Sequence, residues 1–257
     1  MSSSGIAAPI FRNRILTSLA AEDLAILRPH LARVSLLLSQ VLHERNRPIS
    51  DVFFVEQGMV SLTADTSDVG EVEVGLIGRE GFVGGSVLLN PEAIAVHRAV
   101  VQAGGYAYRI SADVLCRAVD HLPMLRRNCL RYLELLLVQT SQAAACNARH
   151  NLPERLARWL SMVRDRLDDD EMPMTQEFLA VMLGVRRAGV SVATGTLQSA
   201  GLIRQSRGRI RVMDRAGLAA AACNCYHILR QTSTVAPAGP QPEGRQRPVP
   251  SYGMAQT

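Results

Sequence analysis

The segment MTQEFLAVMLGVRRAGVSVATGTLQSAGLIRQSRGRIRV, residues 174–212, constrains the fold of this chain more than any other. It contains two short runs in which apolar residues recur at helical spacing, separated by Gly184, where a tight turn needs a positive φ. Thr175 precedes the first run and is a good N-cap. Apolar residues on both sides of Arg207-Gly208 predict a small β-hairpin. The segment therefore predicts a helix, a turn, a second helix and a hairpin.

Positive charge is concentrated in the same part of the chain. Between Met172 and Arg230 there are eight arginines and two acidic residues, a net charge of +6, whereas the whole chain carries +5. Such a local excess favours a polyanionic partner, with a plain solvated basic face as the alternative. Together with the helix pattern it predicts a winged helix-turn-helix, whose second helix enters the major groove of double-stranded DNA. The same pattern also occurs as a purely structural corner.

The second helix is predicted to have a buried and an outer face. Its buried stripe consists of Val190, Ala193 and Leu197. The outer residues predicted to read bases are Arg187, Ala188, Ser191 and Val192. Arg187 can present its planar guanidinium to the two acceptors of guanine, and Ala188 and Val192 can touch a thymine methyl group. The residues predicted to contact phosphates are Thr175, Arg186, Arg204, Arg207, Arg209 and Arg211.

Two features of the second helix fit this prediction less well. Arg186 stands where a capping Ser or Thr is expected, and Gly189 and Gly195 lie inside the helix at a cost of roughly 1 kcal/mol each relative to alanine. A close approach of the backbone to DNA is one explanation for Gly189.

Residues 34–111 have the composition of a β-structure. Short β-branched and aromatic runs at 52–55, 59–63, 72–77 and 82–89 are separated by glycines, which predicts a β-sandwich or β-roll. Residues 15–33 predict one or two short amphipathic helices before it. The acidic run at 168–171 is predicted to be a solvated loop.

A long helix is predicted to follow the β-structure, since residues 124–151 contain neither glycine nor proline. Its apolar stripe consists of Leu125, Cys129, Tyr132, Leu133, Leu136, Leu137 and Thr140. A helix of about 25 residues spans nearly 40 Å, more than one small domain needs. We therefore expect this stripe to pair with a second copy of the chain; the alternative is that it covers one side of the β-structure.

The cysteines predict neither a disulfide framework nor a metal site. There are five of them, all from residue 116 onward, with no CxxC pair. Cys223 and Cys225 are one residue apart in a helical context, where side chains point in different directions. No metal and no other cofactor is expected.

The ends of the chain are predicted to be disordered, at residues 1–14 and 231–257. The C-terminal stretch is rich in proline, glycine and polar residues, with too little apolar surface to offset the entropy of ordering. No basic flank leads into a sustained apolar run, so we expect a cytoplasmic protein without membrane contact.

The order of these parts resembles the Crp/Fnr family of bacterial transcription regulators. The resemblance rests on three stretches. VFFVEQGMVSL is similar to a strand-turn-strand of that family, and GREGFVGGSVLL is similar to its glycine-rich phosphate-binding stretch. TQEFLAVMLGVRRAGVSVATGTLQSAGLI matches the helix-turn-helix of the family without a gap. This register places Arg187, Ala188 and Val192 at the positions that usually read bases in the family.

The resemblance implies an α+β fold with a β-roll of the cyclic-nucleotide-binding type, a long dimerisation helix and a C-terminal winged helix-turn-helix. The expected divisions are a sensor domain at 15–122, the helix at 123–151 and the DNA-binding domain at 152–230. It further implies a homodimer, a palindromic DNA site and contact with RNA polymerase. The resemblance does not specify the effector or the target genes, nor whether the protein activates or represses them.

The sequence departs from cyclic-AMP-binding members of the family in the effector pocket. Those members use a Gly-Glu to hold the ribose and an Arg-Ser or Arg-Thr to hold the phosphate. Here Gly85 within Gly84-Gly85-Ser86 replaces the glutamate, and Arg98 is followed by Ala99. Losing these charge-assisted contacts predicts weak or absent binding of cyclic nucleotides. An iron–sulfur sensor is not expected either, because no cysteine precedes Cys116.

Two functions of other classes are alternatives to a DNA-binding regulator. A metal-dependent enzyme on the β-roll needs a close His-x-His set with a glutamate, whereas His43 and His97 stand alone. A regulatory module acting through protein contacts would use the helix-turn-helix only as a scaffold, but the hairpin arginines argue against it. We therefore expect no enzymatic activity.

Overall fold

The computed structural model describes residues 11–66 and 70–234. Residues 1–10 and 235–257, which make up most of the two segments predicted to be disordered, lie outside the described residues. Up to residue 122 the elements are α1 (Arg14–Thr17), α2 (Ala21–Leu27), a 3-10 turn (Arg28–His30), β1 (Ala32–Leu36), β2 (Val41–His43), β3 (Asp51–Asp65), β4 (Glu71–Ile77), β5 (Phe82–Val83), a second 3-10 turn (Gly85–Leu88), β6 (Arg98–Ser111) and α3 (Ala112–His121).

The six strands form an antiparallel sheet. Four are ordered β1-β6-β3-β4, while β2 also pairs with β6 and β5 with β3. The inner faces of β3 and β6 bury side chains such as Phe54 and Ile110, and α3 covers them through Leu115, which is fully buried. The predicted β-roll is confirmed.

The long strand β3 was predicted as two strands joined by a turn at Gly58, and this prediction was wrong. Gly58 has φ +93° inside β3 and marks a register shift against β6. A Cβ atom on Gly58 would lie 2.4 Å from the Ala103 carbonyl oxygen, and one on Gly105 would lie 2.1 Å from that of Gln57. Glycines on both strands therefore let the two backbones bend together through a β-bulge.

The prediction of a strand at 82–89 was also wrong beyond Val83, where strand β5 ends. Gly84 adopts φ +93°, which ends the strand, and Gly85–Leu88 form a 3-10 turn. Val87 and Leu88 of this turn pack on the buried core of the β-roll, whereas Leu89 is 71% exposed.

Residues 11–14, which belong to the N-terminal segment predicted to be disordered, are ordered. The Asn13 side chain is completely buried, caps α1, and donates to the carbonyls of Val55 and Gly81 over 2.9 and 2.7 Å. The buried carboxylate of Glu56 accepts from the backbone N–H groups of Arg12 and Asn13. Polar side chains thus anchor this segment, which an apolar-periodicity argument does not detect.

The second part of the chain begins with the long helix α4 (Pro123–Arg149). It continues with α5 (Leu152–Arg166), β7 (Glu171–Pro173), α6 (Gln176–Leu183), α7 (Arg187–Ser199), β8 (Ile203–Ser206), β9 (Arg209–Val212), α8 (Arg215–Ala221) and α9 (Asn224–Thr234). Residues 231–234, predicted to be disordered, therefore belong to α9. The three short strands form a sheet ordered β7-β9-β8.

A second apolar core joins this part to the edge of the large sheet. Trp159 of α5 is 1% exposed and packs edge-on against Phe178 of α6. Met59 and Leu76 from the large sheet belong to the same buried cluster. Helices α5 and α6 are therefore packed on the sheet through apolar contact.

The apolar stripe of α4 was predicted to face a second chain, and for three of its residues this was wrong. Leu125, Cys129 and Tyr132 are 0%, 0% and 4% exposed and lie in the core of their own β-roll. Leu133 and Leu136 are half-buried against the same sheet, where they approach Gly85 and Gly75, and Thr140 donates to the Val74 carbonyl. The intrachain alternative applies because the long antiparallel sheet needs an apolar cover.

In the part of the chain that the structure describes, no single helix has the length and apolar character to cross a membrane. Only α6 and α7 taken together, with a bend of 103°, satisfy those two criteria.

Candidate nucleic-acid interface

The two helices of the predicted helix-turn-helix meet at a bend of 103°. Thr175 caps α6 by accepting from the Phe178 N–H over 3.1 Å, as predicted. Gly184 ends α6 with φ +61°, and its N–H reaches the carbonyls of Ala180 and Val181. This is the left-handed C-cap that lets a second helix start within three residues. The predicted geometry is confirmed.

The buried stripe of α7 is confirmed too. Val190, Ala193 and Leu197 are at most 4% exposed, and they attach α7 to the core formed with α5 and α6. The opposite face exposes all four residues predicted to read bases, Arg187, Ala188, Ser191 and Val192. Val192 is 71% exposed. Their contact with bases stays a prediction.

The two glycines inside α7 have separate explanations. A Cβ atom on Gly189 would lie 3.1 Å from Cδ2 of Leu152, at the start of α5. The missing side chain of Gly189 therefore serves packing within the chain, and the explanation by close approach to DNA is not needed. A Cβ atom on Gly195 would have no neighbour within 4 Å apart from the backbone of its own helix, and the presence of this glycine has no structural explanation.

Strands β8 and β9 form the predicted hairpin. Arg207 and Gly208 occupy its turn with φ +41° and +75°, the two positive values of a type I′ turn. Ile203 and Ile210 point into the core. Arginines 204, 207, 209 and 211 are all exposed. The hairpin therefore presents a basic surface beside α7, as a wing does.

The acidic run at 168–171 is not the plain solvated loop that we predicted, since its carboxylates pair with arginines. Glu171 on β7 accepts from Arg209 over 3.1 Å and also from Arg211. These hydrogen bonds, that of Arg211 above all, hold the pKa of Glu171 below its ordinary value. Two of the wing arginines are therefore paired with a carboxylate of their own chain.

Two neighbouring carboxylates of the run behave in the same way. Asp170 pairs with Arg164 and Arg215, over 2.5 and 2.6 Å. Asp168 pairs with Arg12 and Arg79. The run was not recognised because its partners lie 6 to 156 positions away in the sequence.

Arg187 also has an intrachain partner. Its Nε lies 2.9 Å from Oε1 of Glu177 on α6, and both side chains are more than 60% exposed. An exposed pair of this kind contributes at most about 1 kcal/mol, so it can open when a guanine offers two acceptors. The pair orients the guanidinium at the N-terminal end of α7.

The residues of the predicted effector pocket are occupied by packing and by ion pairs. A Cβ atom on Gly85 would lie 2.4 Å from Cδ2 of Leu133. Arg98 lies 3.4 Å from Glu44 and 3.6 Å from Glu71, and Ala99 is fully buried. Gly84 and Ser86 belong to the 3-10 turn and its cap. The space and the free positive charge that a bound phosphate requires are both reduced.

The structure brings together four residues that the sequence analysis kept apart. Cys146, His150, Cys223 and Cys225 have their ligand atoms within 4.8 Å of one another. The argument from helical spacing failed because Cys223 precedes α9, whereas Cys225 lies in its first turn. The spacing Cys146-x₃-His150, one helical turn, was the signal in the sequence that could have indicated a shared site.

Comparisons with known proteins agree with this geometry. Residues 154–221 match the model of the Crp-like helix-turn-helix domain. No curated protein matches the chain.

Among solved structures, the c-di-GMP-responsive global regulator CLP of Xanthomonas campestris is 19% identical, with a TM-score of 0.62, covering 76% of this chain and 100% of that one. FixK2 of Bradyrhizobium japonicum is 18% identical, with a TM-score of 0.64, covering 75% and 98%. A transcriptional regulator of the CRP family from Thermus thermophilus is 19% identical, with a TM-score of 0.61, covering 74% and 96%. At these identities the likeness is one of fold.

Proposed function

We propose that this chain acts as a homodimer on a palindromic DNA site. Its helix-turn-helix domain and its fold are those of a DNA-binding regulator of the Crp/Fnr type. The observation that carries the proposal is the exposed outer face of α7 beside a basic hairpin. A helix of this kind fits the major groove, and a two-fold dimer presents two of them to half-sites about one helical turn apart.

In the proposed complex, base readout and phosphate contact are divided between the two elements. Arg187 releases Glu177 and forms two hydrogen bonds with a guanine, while Ala188, Ser191 and Val192 contact neighbouring bases. Phosphates are contacted by Thr175, Arg186, Arg204, Arg207, Arg209 and Arg211. Because one arginine supplies most of the directional hydrogen bonds, specificity is concentrated at one base pair in each half-site.

The dimer contact in this proposal is the outer face of α4. After the core residues are buried in their own chain, Leu130 and Leu137 remain 39% and 67% exposed. Ala144 and Ala148 continue the same exposed face at helical spacing. Small residues at one end and leucines at the other allow two such helices to pack closely along their length.

The proposed sensor domain does not use cyclic AMP. Leu133 fills the space beside Gly85, and the two glutamates near Arg98 compete with a phosphate for its charge. Regulators of this type are not enzymes, and we propose no catalytic activity. Contact with RNA polymerase is proposed from the regulator type alone.

Selection of DNA from a random library by the purified full-length protein tests the proposal. The expected result is a two-fold symmetric consensus with half-site centres about 10 base pairs apart. Arg117→Ala, which removes an exposed arginine from α3, should select the same consensus. A consensus without symmetry would contradict the dimeric mode, and failure to enrich any sequence would contradict DNA readout by α7.

A further inference from the structure

Three thiols and one imidazole converge where the long helix α4 ends. Sγ of Cys146 lies 3.4 Å from Sγ of Cys223, and Nδ1 of His150 lies 3.5 Å from Sγ of Cys225. All four ligand atoms lie within 4.8 Å of one another. Cys146, Cys223 and Cys225 are at most 6% exposed, and His150 is half-buried.

Two separate parts of the chain supply the four groups. Cys146 and His150 lie one helical turn apart at the end of α4, and His150 is the C-cap of that helix. Cys223 lies between α8 and α9, and Cys225 in the first turn of α9. Because Asn151 caps the following helix α5, the cluster lies at the junction of α4 and α5 and connects it to α9.

The spacing of these atoms fits a four-coordinate metal ion. Bond lengths of about 2.3 Å to sulfur and 2.0 Å to nitrogen in a tetrahedron place ligand atoms roughly 3.5 to 3.8 Å apart. The two distances of 3.4 and 3.5 Å are close to that range. Three thiolates with one imidazole form a soft ligand set that selects Zn²⁺ over hard cations such as Mg²⁺.

The surroundings of the cluster suit a site with net negative charge. Nε2 of Gln142 donates to Sγ of Cys225 over 3.1 Å, the kind of hydrogen bond that supports a metal-bound thiolate. The guanidinium groups of Arg155 and Arg158 interact electrostatically with Cys146. Arg158 is 5% exposed, and among the described residues the Nε atoms of both arginines are buried without a hydrogen-bond acceptor.

Arg158 is buried and Arg155 half-buried, and a buried cation is costly next to neutral thiols. Binding of Zn²⁺ to three thiols and a neutral imidazole releases three protons and leaves one net negative charge on the site. That charge would compensate the buried guanidinium groups.

We propose that Cys146, His150, Cys223 and Cys225 bind one Zn²⁺ in each chain. With four protein ligands the site is closed, as in structural zinc sites, and it ties α9 to the junction between α4 and α5. The proposal does not depend on the proposed function. Only its consequence does: since the junction connects the β-roll to the helix-turn-helix, loss of the ion should alter the position of α7 and so the affinity for DNA.

Metal analysis of the full-length protein, purified under reducing conditions and dialysed against trace Zn²⁺, tests the site. The expected content is about one zinc per chain. Titration of the chelated protein with Co²⁺ should give the absorption bands of cobalt–thiolate coordination. Zinc content that stays below about one-tenth per chain, together with absence of those bands, would overturn the proposal.

Variants separate the site from general effects. Cys225→Ser and His150→Ala should each lower zinc content at least severalfold, and His150→Ala changes a side chain that is only half-buried. The control Cys116→Ser removes a cysteine that lies elsewhere, near the Val87 carbonyl, and should keep a full equivalent. Retention of zinc in both site variants would overturn the assignment.

A disulfide between Cys146 and Cys223 is the competing use of the cluster. Thiol titration and mass measurement of the protein as purified without reductant distinguish the two. After removal of the ion, zinc-bound protein should have the mass of the fully reduced chain, without the loss of two hydrogen atoms that a disulfide causes. Its thiols should become reactive only after chelation. A Cys146–Cys223 disulfide that forms in the presence of Zn²⁺ would overturn the proposal. DNA affinity measured on the same samples reports the proposed function separately.

Discussion

The indole Nε1 of Trp159 donates a hydrogen bond to Oε1 of Glu73 over 2.7 Å, and this contact joins α5 to strand β4 of the large sheet. The second carboxylate oxygen of Glu73 accepts from Ser61 over 2.5 Å. Burial raises the pKa of Glu73 to about 7, against the lowering effect of these two hydrogen bonds and of nearby arginines. The contact between the β-roll and the helices of the DNA-binding part therefore contains a carboxyl group that titrates near neutral pH.

Stability should fall as Glu73 ionises. The pKa of Glu73 in the folded chain, about 7, is above the ordinary value of 4.5. The contribution of the protonated carboxyl group to the free energy of unfolding is therefore fully present below pH 4.5 and is lost as pH rises to about 7. We expect Glu73→Gln to reduce the loss of unfolding free energy between pH 5 and 8, by up to about 3 kcal/mol.

Urea unfolding of the wild type and of Glu73→Gln at several pH values measures this effect. The exposed residue Glu134 on α4 provides the control, because Glu134→Gln should leave the pH dependence unchanged. If wild type and Glu73→Gln lose stability in parallel over this range, the carboxyl group does not titrate there.

The helix-turn-helix could be predicted from sequence because its signals are local. Thr175 caps a helix that it precedes, Gly184 has the positive φ of the turn, and Gly208 that of the hairpin. Each depends on backbone conformation within a few residues. The β-roll was predictable as a class for the same reason, from short apolar runs and glycines.

The errors concern contacts between distant segments. Whether the stripe of α4 faces its own sheet or a second chain depends on what covers Leu125, which periodicity does not specify. The cluster at Cys146 depends on where α9 returns, 77 positions later. Glu171 pairs with Arg211 only because β7 joins the hairpin. Strand β7 has three residues and no recognisable alternation of apolar and polar side chains.

Cyclic AMP should not bind to the β-roll, even after an attempt to restore the missing glutamate. Gly85→Glu would force a side chain into Cδ2 of Leu133, which lies 2.4 Å from the position of a Cβ atom. We expect this variant to lose about 1 to 3 kcal/mol of stability and to gain no affinity. Gly195→Glu, at a position without neighbours within 4 Å, should not lose stability. Calorimetric titration that gives micromolar binding of cyclic AMP or cyclic GMP to either form would contradict the prediction.

Arg187 should carry most of the hydrogen-bonded base specificity. Arg187→Ala should weaken binding to the selected site by about 1 to 3 kcal/mol and relax the preference at one base pair in each half-site. Glu177→Gln should instead keep the preference, because it removes only the intrachain partner of that guanidinium. Gel-shift titration with each of the four base pairs at that position measures both effects, and an unchanged preference in Arg187→Ala would be inconsistent with the docking.

The wing arginines should contribute affinity without specificity. Arg209→Ala should weaken binding to every sequence by a similar factor and lower the slope of log K against log salt by about 0.9. Glu171→Gln should strengthen binding modestly, because the carboxylate competes with phosphate for Arg209 and Arg211. The slope is measured from binding isotherms at salt concentrations between about 50 and 200 mM, a range over which phosphate contacts change the affinity strongly. A loss confined to the selected site would show that Arg209 reads bases.

Leu137 should hold the two chains together. It is 67% exposed at the middle of α4, so Leu137→Arg puts a charge into the proposed interface without disturbing the core of the single chain. Light scattering should give twice the chain mass of 28.0 kDa for the wild type and a single chain mass for the variant. Leu89→Arg changes a leucine with 71% exposure on the β-roll and should stay dimeric. Affinity for the palindromic site should fall together with the dimer, because a monomer engages only one half-site. A dimeric Leu137→Arg protein would place the interface on another surface, and a monomeric wild type would exclude the dimer itself.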